Sequence, residues 1–195
     1  MKRLIALLTW IGLAVAWAAP SHSDAPAAPP GDPKLLEHAE VEYYDVSGST
    51  PDELRVSMNE RRPTNPFDAH RAFDAYTDWY ISWDWPGYGS NACNLAAALV
   101  TYEIQVILPG WQPPGNASPE LITKWEKYIH SLVIHEQGHV DHIVNHYLDV
   151  ETAIRNATCA TAEAAAQRVL VDLRAFDLSY DRETNHGETQ GAVFP

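Results

Sequence analysis

The feature that most constrains the fold is a long amphipathic segment in the second half of the chain. It begins at Ser118-Pro119-Glu120, where the serine can cap a helix and the proline suits its first turn, and no further proline interrupts it before residue 153. Its apolar residues recur at intervals of three and four, as on one face of a helix; they are Trp125, Ile129, Leu132, Val133, Val140, Ile143, Val144, Tyr147 and Leu148. This pattern predicts a helix over about residues 119–153.

Shorter patterns predict the elements that pack with this helix. Apolar and polar residues alternate in two segments, which indicates strands with one buried face each. Strands are predicted at residues 41–46, 77–85 and 102–108, the last ending at Pro109-Gly110, and helices at about 51–60 and 161–175. The polar tail after residue 177 is expected to be irregular. Because the strands precede the long helices without strict alternation, the sequence predicts an α+β fold.

Within the long segment, His135-Glu136-Gln137-Gly138-His139 has the form H-E-x-x-H. Four residues advance a helix by about 400°, so His135 and His139 project from one face, about 6 Å apart along the axis. Two imidazoles in that arrangement can bind one Zn²⁺, and Glu136, rotated by about 100°, can accept a proton from a water molecule on the metal. We therefore interpret His135 and His139 as metal ligands and Glu136 as the catalytic base.

A catalytic zinc needs a third protein ligand, and the sequence leaves several candidates open. The extension typical of metzincins is absent, because His142 and Asn145 occupy its glycine and its final histidine positions. The candidates are His142, Glu151, Glu163 and His186. His186 lies in a tail with little apolar content, which a metal bond would hold in place.

Composition limits the class of protein. The 195 residues are 46% apolar, which suits one packed domain, expected over residues 38–195. A formal net charge of −13 argues against binding to nucleic acid, whose phosphates require a cationic surface. Cys93 and Cys159 are the two cysteines, and in an oxidising compartment such a pair usually forms a disulfide.

The N-terminal sequence has the order of a secretory signal peptide. Lys2 and Arg3 precede an apolar stretch, and a small-x-small cleavage pattern ends at Ala18. We expect residues 1–18 to be removed on export to the periplasm or the medium, with no attachment to the membrane afterwards. Residues 19–37 are rich in proline and alanine and are expected to form a flexible arm.

These segments together resemble a bacterial family of predicted secreted zinc-dependent proteases that is catalogued as a domain of unknown function. The resemblance covers about residues 40–195. It is carried by Tyr43-Tyr44-Asp45, Thr50-Pro51-Asp52-Glu53-Leu54, the strand with Thr77, Trp79, Ile81 and Trp83, the two cysteines, the H-E-x-x-H motif, and the tail Tyr180-Asp181-Arg182-Glu183-Thr184-Asn185-His186-Gly187 with Gln190-Gly191-Ala192.

The resemblance implies a zincin-like fold, in which a small antiparallel or mixed sheet packs on the long active-site helix. It also implies a zinc-dependent peptidase acting on peptide or protein substrates, and it favours His186 as a functional residue. In such folds an exposed strand edge aligns the substrate. Tyr180 and Tyr147 are candidate donors to the oxyanion. The alternative is a non-catalytic zinc-binding or partner-docking module of the cell envelope, in which a histidine stripe (His135, His139, His142 and His146) holds metal.

Overall fold

The computed structural model describes residues 35–65 and 68–194. The predicted signal peptide and the predicted arm up to residue 34 lie outside the described residues. The last residues of that arm belong to a turn at 35–38, in which Leu36 is buried. The boundaries at residues 18 and 37 remain predictions.

Strands and helices follow one another without regular alternation, which confirms the predicted α+β class. The strands are β1 (Glu40–Val46), β2 (Thr64–Asn65), β3 (Asp68–Ala72), β4 (Tyr76–Asp84) and β5 (Leu99–Trp111). The helices are α1 (Pro51–Arg61), α2 (Pro119–Arg155) and α3 (Ala162–Thr184), and 3₁₀ turns lie at Leu95–Ala97 and Glu188–Gln190. Capping residues begin two helices as predicted: Thr50 Oγ1 accepts a hydrogen bond from Glu53 N (3.3 Å), and Ser118 Oγ accepts one from Leu121 N (3.2 Å).

Three strands form a small mixed sheet in the order β1-β5-β4. β1 runs parallel to β5, and β4 runs antiparallel to β5, with Trp79 opposite Ile104. β5 was predicted to end at Pro109-Gly110, but it continues to Trp111 because β1 pairs with this stretch. β2 and β3 form a separate two-stranded ribbon. In the described part of the chain β4 is therefore an edge strand.

The core lies between the inner face of this sheet and α2. Alternate residues of β5 point inward, so that Val100, Ile104, Val106 and Leu108 are buried. The apolar face predicted for α2 meets them with Tyr128, Ile129, Leu132, Val140 and Ile143. With 37 residues, α2 is about 55 Å long.

The tail was predicted to be irregular from residue 177, and this prediction is wrong for its first part. α3 continues without interruption to Thr184 and ends where Asn185 and His186 adopt left-handed backbone conformations (φ 49° and 51°). Between residues 162 and 184 the sequence has no glycine or proline. The polar residues of this part face polar residues of α2, so a lack of apolar side chains does not end the helix.

Cys93 and Cys159 form a disulfide, as predicted. It joins the connection between β4 and β5 to the connection between α2 and α3. None of the helices in the described residues combines the length and the apolar composition that a membrane span needs.

Candidate metal centre

Two histidines and one aspartate converge where α2 and α3 pack together. His135 Nε2 lies 3.3 Å and His139 Nε2 lies 3.1 Å from the same oxygen, Asp181 Oδ1. In a tetrahedral site with metal–ligand bonds of about 2.0–2.1 Å, two ligand atoms are about 3.3 Å apart. The distances from the aspartate oxygen to the two nitrogens match this spacing, and all three donor atoms lie within 4.8 Å of one another. In the described part of the chain this is the one group of three such residues that could hold a metal ion.

The helix hairpin formed by α2 and α3 positions all three donors. His135 and His139 are one turn apart on α2, with ring centroids at 5.0 Å, as their spacing predicted. Both are buried, with 4% and 7% of their surface exposed. Asp181 comes from the last turn of α3, which returns along α2. Polar side chains are costly to bury unless they are bonded. Binding of a common metal ion would be a physical reason for burying these three side chains together.

Burial and charge act in opposite directions on these groups. Burial alone would lower the pKa of His139, but hydrogen bonds with Asp177 and Asp181 and the charge of Glu136 raise it to about 10. Burial alone would raise the pKa of Asp181, but hydrogen bonds from His135 and His139 hold it well below its usual range. At neutral pH the ring of His139 is therefore a cation paired with ionised carboxylates, and a metal ion bound here would replace the proton on its Nε2.

Glu136 points to the side of the cluster, as the helix rotation predicted. It is 3% exposed, and Thr77 Oγ1 on β4 donates a hydrogen bond of 2.6 Å to its Oε2. Burial raises the pKa of Glu136, against the opposing charges of His139 and His135 and the bond from Thr77. In the described part of the chain Glu136 is not in the donor group, so its carboxylate is available beside the candidate metal site.

A cleft of about 830 Å³ opens onto this cluster. It is bounded by β4, α2, α3 and the turn after α3, and His135, Glu136, His139 and Asp181 all line it. Its lining also contains apolar side chains and three arginines, among them Phe73, Trp79, Leu178, Arg62, Arg174 and Arg182. The cluster is thus buried in the protein but reachable from one side.

His186, the preferred third ligand at the sequence level, lies beside the cluster and not within it. Its Nδ1 is 3.6 Å from Asp181 Oδ2, its side chain is 43% exposed, and its ring packs on Phe73 at 5.1 Å. It belongs to the cleft wall. The geometry brings Asp181 into the third position instead.

The other candidate ligands contact different partners. The ring of His142 stacks on Phe176 at 3.6 Å. Glu151 forms an ion pair with Arg155, and Glu163 accepts hydrogen bonds from Trp83 and Tyr88. None of these three residues is in the donor group of His135, His139 and Asp181.

The two candidate oxyanion donors do not line the cleft. The ring of Tyr180 stacks on His135 (5.1 Å), and its hydroxyl accepts a hydrogen bond from Gln190 Nε2 at 3.0 Å. Tyr147 packs on Tyr102 with ring centroids 4.7 Å apart. Tyr180 therefore joins α3 to α2, whereas Tyr147 packs α2 on β5.

Asp181 is the site residue that sequence reasoning missed. A signal for it was present: Asp177 and Asp181 are four residues apart in a segment without glycine or proline, followed by Asn185 and Gly187, which are typical of a helix end. A helix extended to residue 184 would have placed both aspartates on one face.

The fold and the site define an α+β domain with a two-histidine, one-carboxylate donor set on a helix hairpin. The chain belongs to the family of bacterial proteins of unknown function DUF922, whose model matches residues 41–187. The match begins in β1 and includes His135, Glu136, His139 and Asp181. No curated protein and no solved structure matches the chain significantly.

Proposed function

We propose that this chain is an exported zinc-dependent peptidase. The observation that carries the proposal is the buried group of His135, His139 and Asp181, with Glu136 beside it in a cleft open to solvent. Nitrogen and carboxylate donors at these spacings suit Zn²⁺, and three protein ligands that leave one position open are typical of catalytic zinc sites. A zinc ion held there would supply Lewis-acid activation of water and of a substrate carbonyl.

The protein's own groups would carry the proton. Glu136, beside the donor group, accepts the proton of the attacking water and delivers it to the leaving amine. Thr77 fixes one carboxylate oxygen of Glu136, so the other can face the water. This arrangement supports Glu136 as base and acid and not as a ligand.

The surroundings fit a polypeptide substrate and the zincin-like architecture that we assign to the domain. β4 is an edge strand in the described part of the chain, and its residues Tyr76 to Trp79 line the cleft. An extended substrate can add to such an edge through main-chain hydrogen bonds. The disulfide between Cys93 and Cys159 agrees with export to an oxidising compartment.

A second candidate function is a non-catalytic metal-binding module. It is favoured by the adjacent rings of His142 and His146, whose centroids are 4.7 Å apart on the face of α2 that continues from the metal cluster. Binding of more than one zinc ion per chain, without hydrolysis of peptides, would support it over the peptidase.

The test compares the wild-type protein with Glu136→Gln and with Glu126→Gln, an exposed glutamate on the same helix. Zinc content and hydrolysis of a quenched-fluorescent peptide library are measured for each. We expect Glu136→Gln to keep its zinc and to lose hydrolysis by about 10²–10⁴-fold, as for removal of a general acid–base group. Glu126→Gln should match the wild type. Unchanged hydrolysis by Glu136→Gln would show that the base is wrongly assigned, and a wild type that binds no zinc would refute the proposal.

A further inference from the structure

We infer that Asp177 and Gln190 are positioning residues, which hold the two ligating histidines in the tautomer and orientation that metal binding requires. The inference rests on the proposed metal site. A neutral imidazole can ligate through Nε2 when its Nδ1 carries the proton, and a hydrogen-bond acceptor at Nδ1 selects that tautomer. Each of the two histidines has such an acceptor, and the two acceptors come from different parts of the fold.

His139 is held by a carboxylate. Its Nδ1 lies 3.0 Å from Asp177 Oδ1, while its Nε2 faces Asp181 one helical turn further on. Trp79 Nε1 on β4 donates a hydrogen bond of 2.8 Å to the other oxygen, Asp177 Oδ2. Trp79 is buried, so the aspartate is fixed from the sheet as well as from its own helix. The ring of His139 therefore has one nitrogen for Asp177 and one for the metal.

His135 is held by an amide. Its Nδ1 lies 3.0 Å from Gln190 Oε1, and Gln190 Nε2 donates to Tyr180 OH at 3.0 Å. The hydroxyl of Thr184 is a more distant neighbour of the same nitrogen, at 3.4 Å. The amide is oriented with its nitrogen toward Tyr180 and its oxygen toward His135. An oxygen accepts and cannot donate, so Nδ1 of His135 carries the proton.

Gln190 can reach His135 because the turn that carries it lies against α2. Gly187 (φ 85°) and Gly191 (φ 98°) flank the turn, and both have backbone conformations that favour glycine. A Cβ added at Gly187 would lie 3.1 Å from His135 Cβ, and one at Gly191 would lie 3.0 Å from Ser131 Oγ. The segment after α3 is thereby part of the metal centre.

The two acceptors differ in charge, which predicts different effects on zinc affinity. An ionised carboxylate makes the ring a better electron donor than a neutral amide does, and loss of such a partner weakens metal binding by about 10–100-fold. We expect Asp177→Ala to weaken zinc binding by about that factor and Gln190→Ala to weaken it less. Asp177→Asn keeps an acceptor oxygen without the charge and should be intermediate.

The experiment measures the zinc affinity of each variant by competition with a chromophoric chelator. It also follows the downfield Nδ1–H resonance of His139 in the zinc-loaded protein by proton NMR. The matched control is Asp149→Asn, because Asp149 Oδ2 and His146 Nδ1 form a contact of the same length, 3.0 Å, on the exposed surface of α2. Asp149→Asn should keep both the affinity and the resonance of the wild type, whereas Asp177→Ala should lose the resonance.

The outcomes separate this inference from the proposed function. If Asp177→Ala and Asp177→Asn bind zinc as tightly as the wild type and keep the resonance, the positioning role is refuted while the metal site stands. Equal weakening by Asp149→Asn and Asp177→Ala would also refute it. If the wild-type protein binds no zinc, the proposed function itself fails. An intermediate affinity for a folded Asp177→Asn supports the inference even where Asp177→Ala does not fold.

Discussion

At the scale of single residues, Gly138 shows why the motif has a glycine in the middle of a helix. Glycine costs about 1 kcal/mol relative to alanine in a helix interior. A Cβ at residue 138 would lie 2.2 Å from Tyr180 OH and 2.4 Å from Tyr180 Cζ. The ring of Tyr180 is stacked on His135 and bonded by Gln190, so it has little freedom to move away. The glycine thus lets α3 approach α2 closely enough for Asp181 to reach the two histidines.

Gly138→Ala is therefore expected to separate the two helices although it raises helix propensity. We expect a loss of about 1–3 kcal/mol in the free energy of unfolding, as for overpacking, and a zinc affinity lowered by at least about tenfold. Urea denaturation and chelator competition measure the two effects. Gly115→Ala is the control, because nothing lies within 4 Å of a Cβ added there. A Gly138→Ala protein that is more stable and binds zinc normally would contradict this explanation.

At the scale of elements, the prediction from sequence succeeded where the pattern is local. The helical period and the Ser118 cap identify α2, and the spacing of His135 and His139 within it already places both rings on one face. The alternation of apolar and polar residues predicts β4 and β5 in the same way. Asp181 could not be found by these means, because its role depends on how α3 packs against α2, 42 residues from His139 along the chain. The predicted end of α3 is wrong because polar composition indicates a loop, whereas the polar side chains Asp177 and Asp181 contact His139 on α2.

The disulfide ties the elements together at a distance from the candidate metal centre. Arg155 ends α2 about 24 Å along the helix axis from His139, and Cys159 follows it. In the chain-entropy model, a link across a separation of 66 residues contributes about 4 kcal/mol of stability. We expect the double substitution Cys93→Ser, Cys159→Ser to lower the free energy of unfolding by up to about that amount. Zinc affinity should stay within about twofold of the wild type. A large loss of affinity in the folded double variant would mean that the hairpin is aligned by the disulfide.

At the scale of the whole molecule, Asp74 connects elements that are far apart in sequence. Its carboxylate accepts hydrogen bonds from Arg55 Nη1 on α1 (2.6 Å) and from Tyr128 on α2 (2.5 Å), and Arg62 Nη1 is 3.3 Å away. Its backbone oxygen accepts a bond from Tyr44 on β1. Arg55 Nη2 also donates to the backbone oxygen of Phe194, near the C-terminus. This network joins β1, α1 and α2 to the segment after α3, and two of its members, Arg62 and Asp74, also line the cleft.

The network predicts how the stability of the protein depends on pH. Burial alone would raise the pKa of Asp74, but the hydrogen bonds from Tyr128 and Arg55 and the charges of Arg55 and Arg62 lower it below its ordinary value. A depressed pKa in the folded state contributes stability that is complete above the unfolded value of about 3.9 and is lost as the pH falls through the folded value. Asp74→Asn should therefore reduce the free energy of unfolding by about 2–3 kcal/mol at pH 7. Its difference from the wild type should shrink below about pH 4.

Urea denaturation at pH 7 and pH 3 measures this difference, with the exposed Asp172→Asn as the control. The control should follow the wild type at both values, because an exposed carboxylate on α3 gains little from the folded state. If Asp74→Asn lost the same free energy at pH 3 as at pH 7, the ionised carboxylate would not be the source of the stability, and the shape of the side chain would be. If the pH dependence appears while zinc affinity at pH 7 is retained, the network stabilises the fold. The geometry of the candidate metal centre then depends on the helix hairpin and not on the Asp74 network.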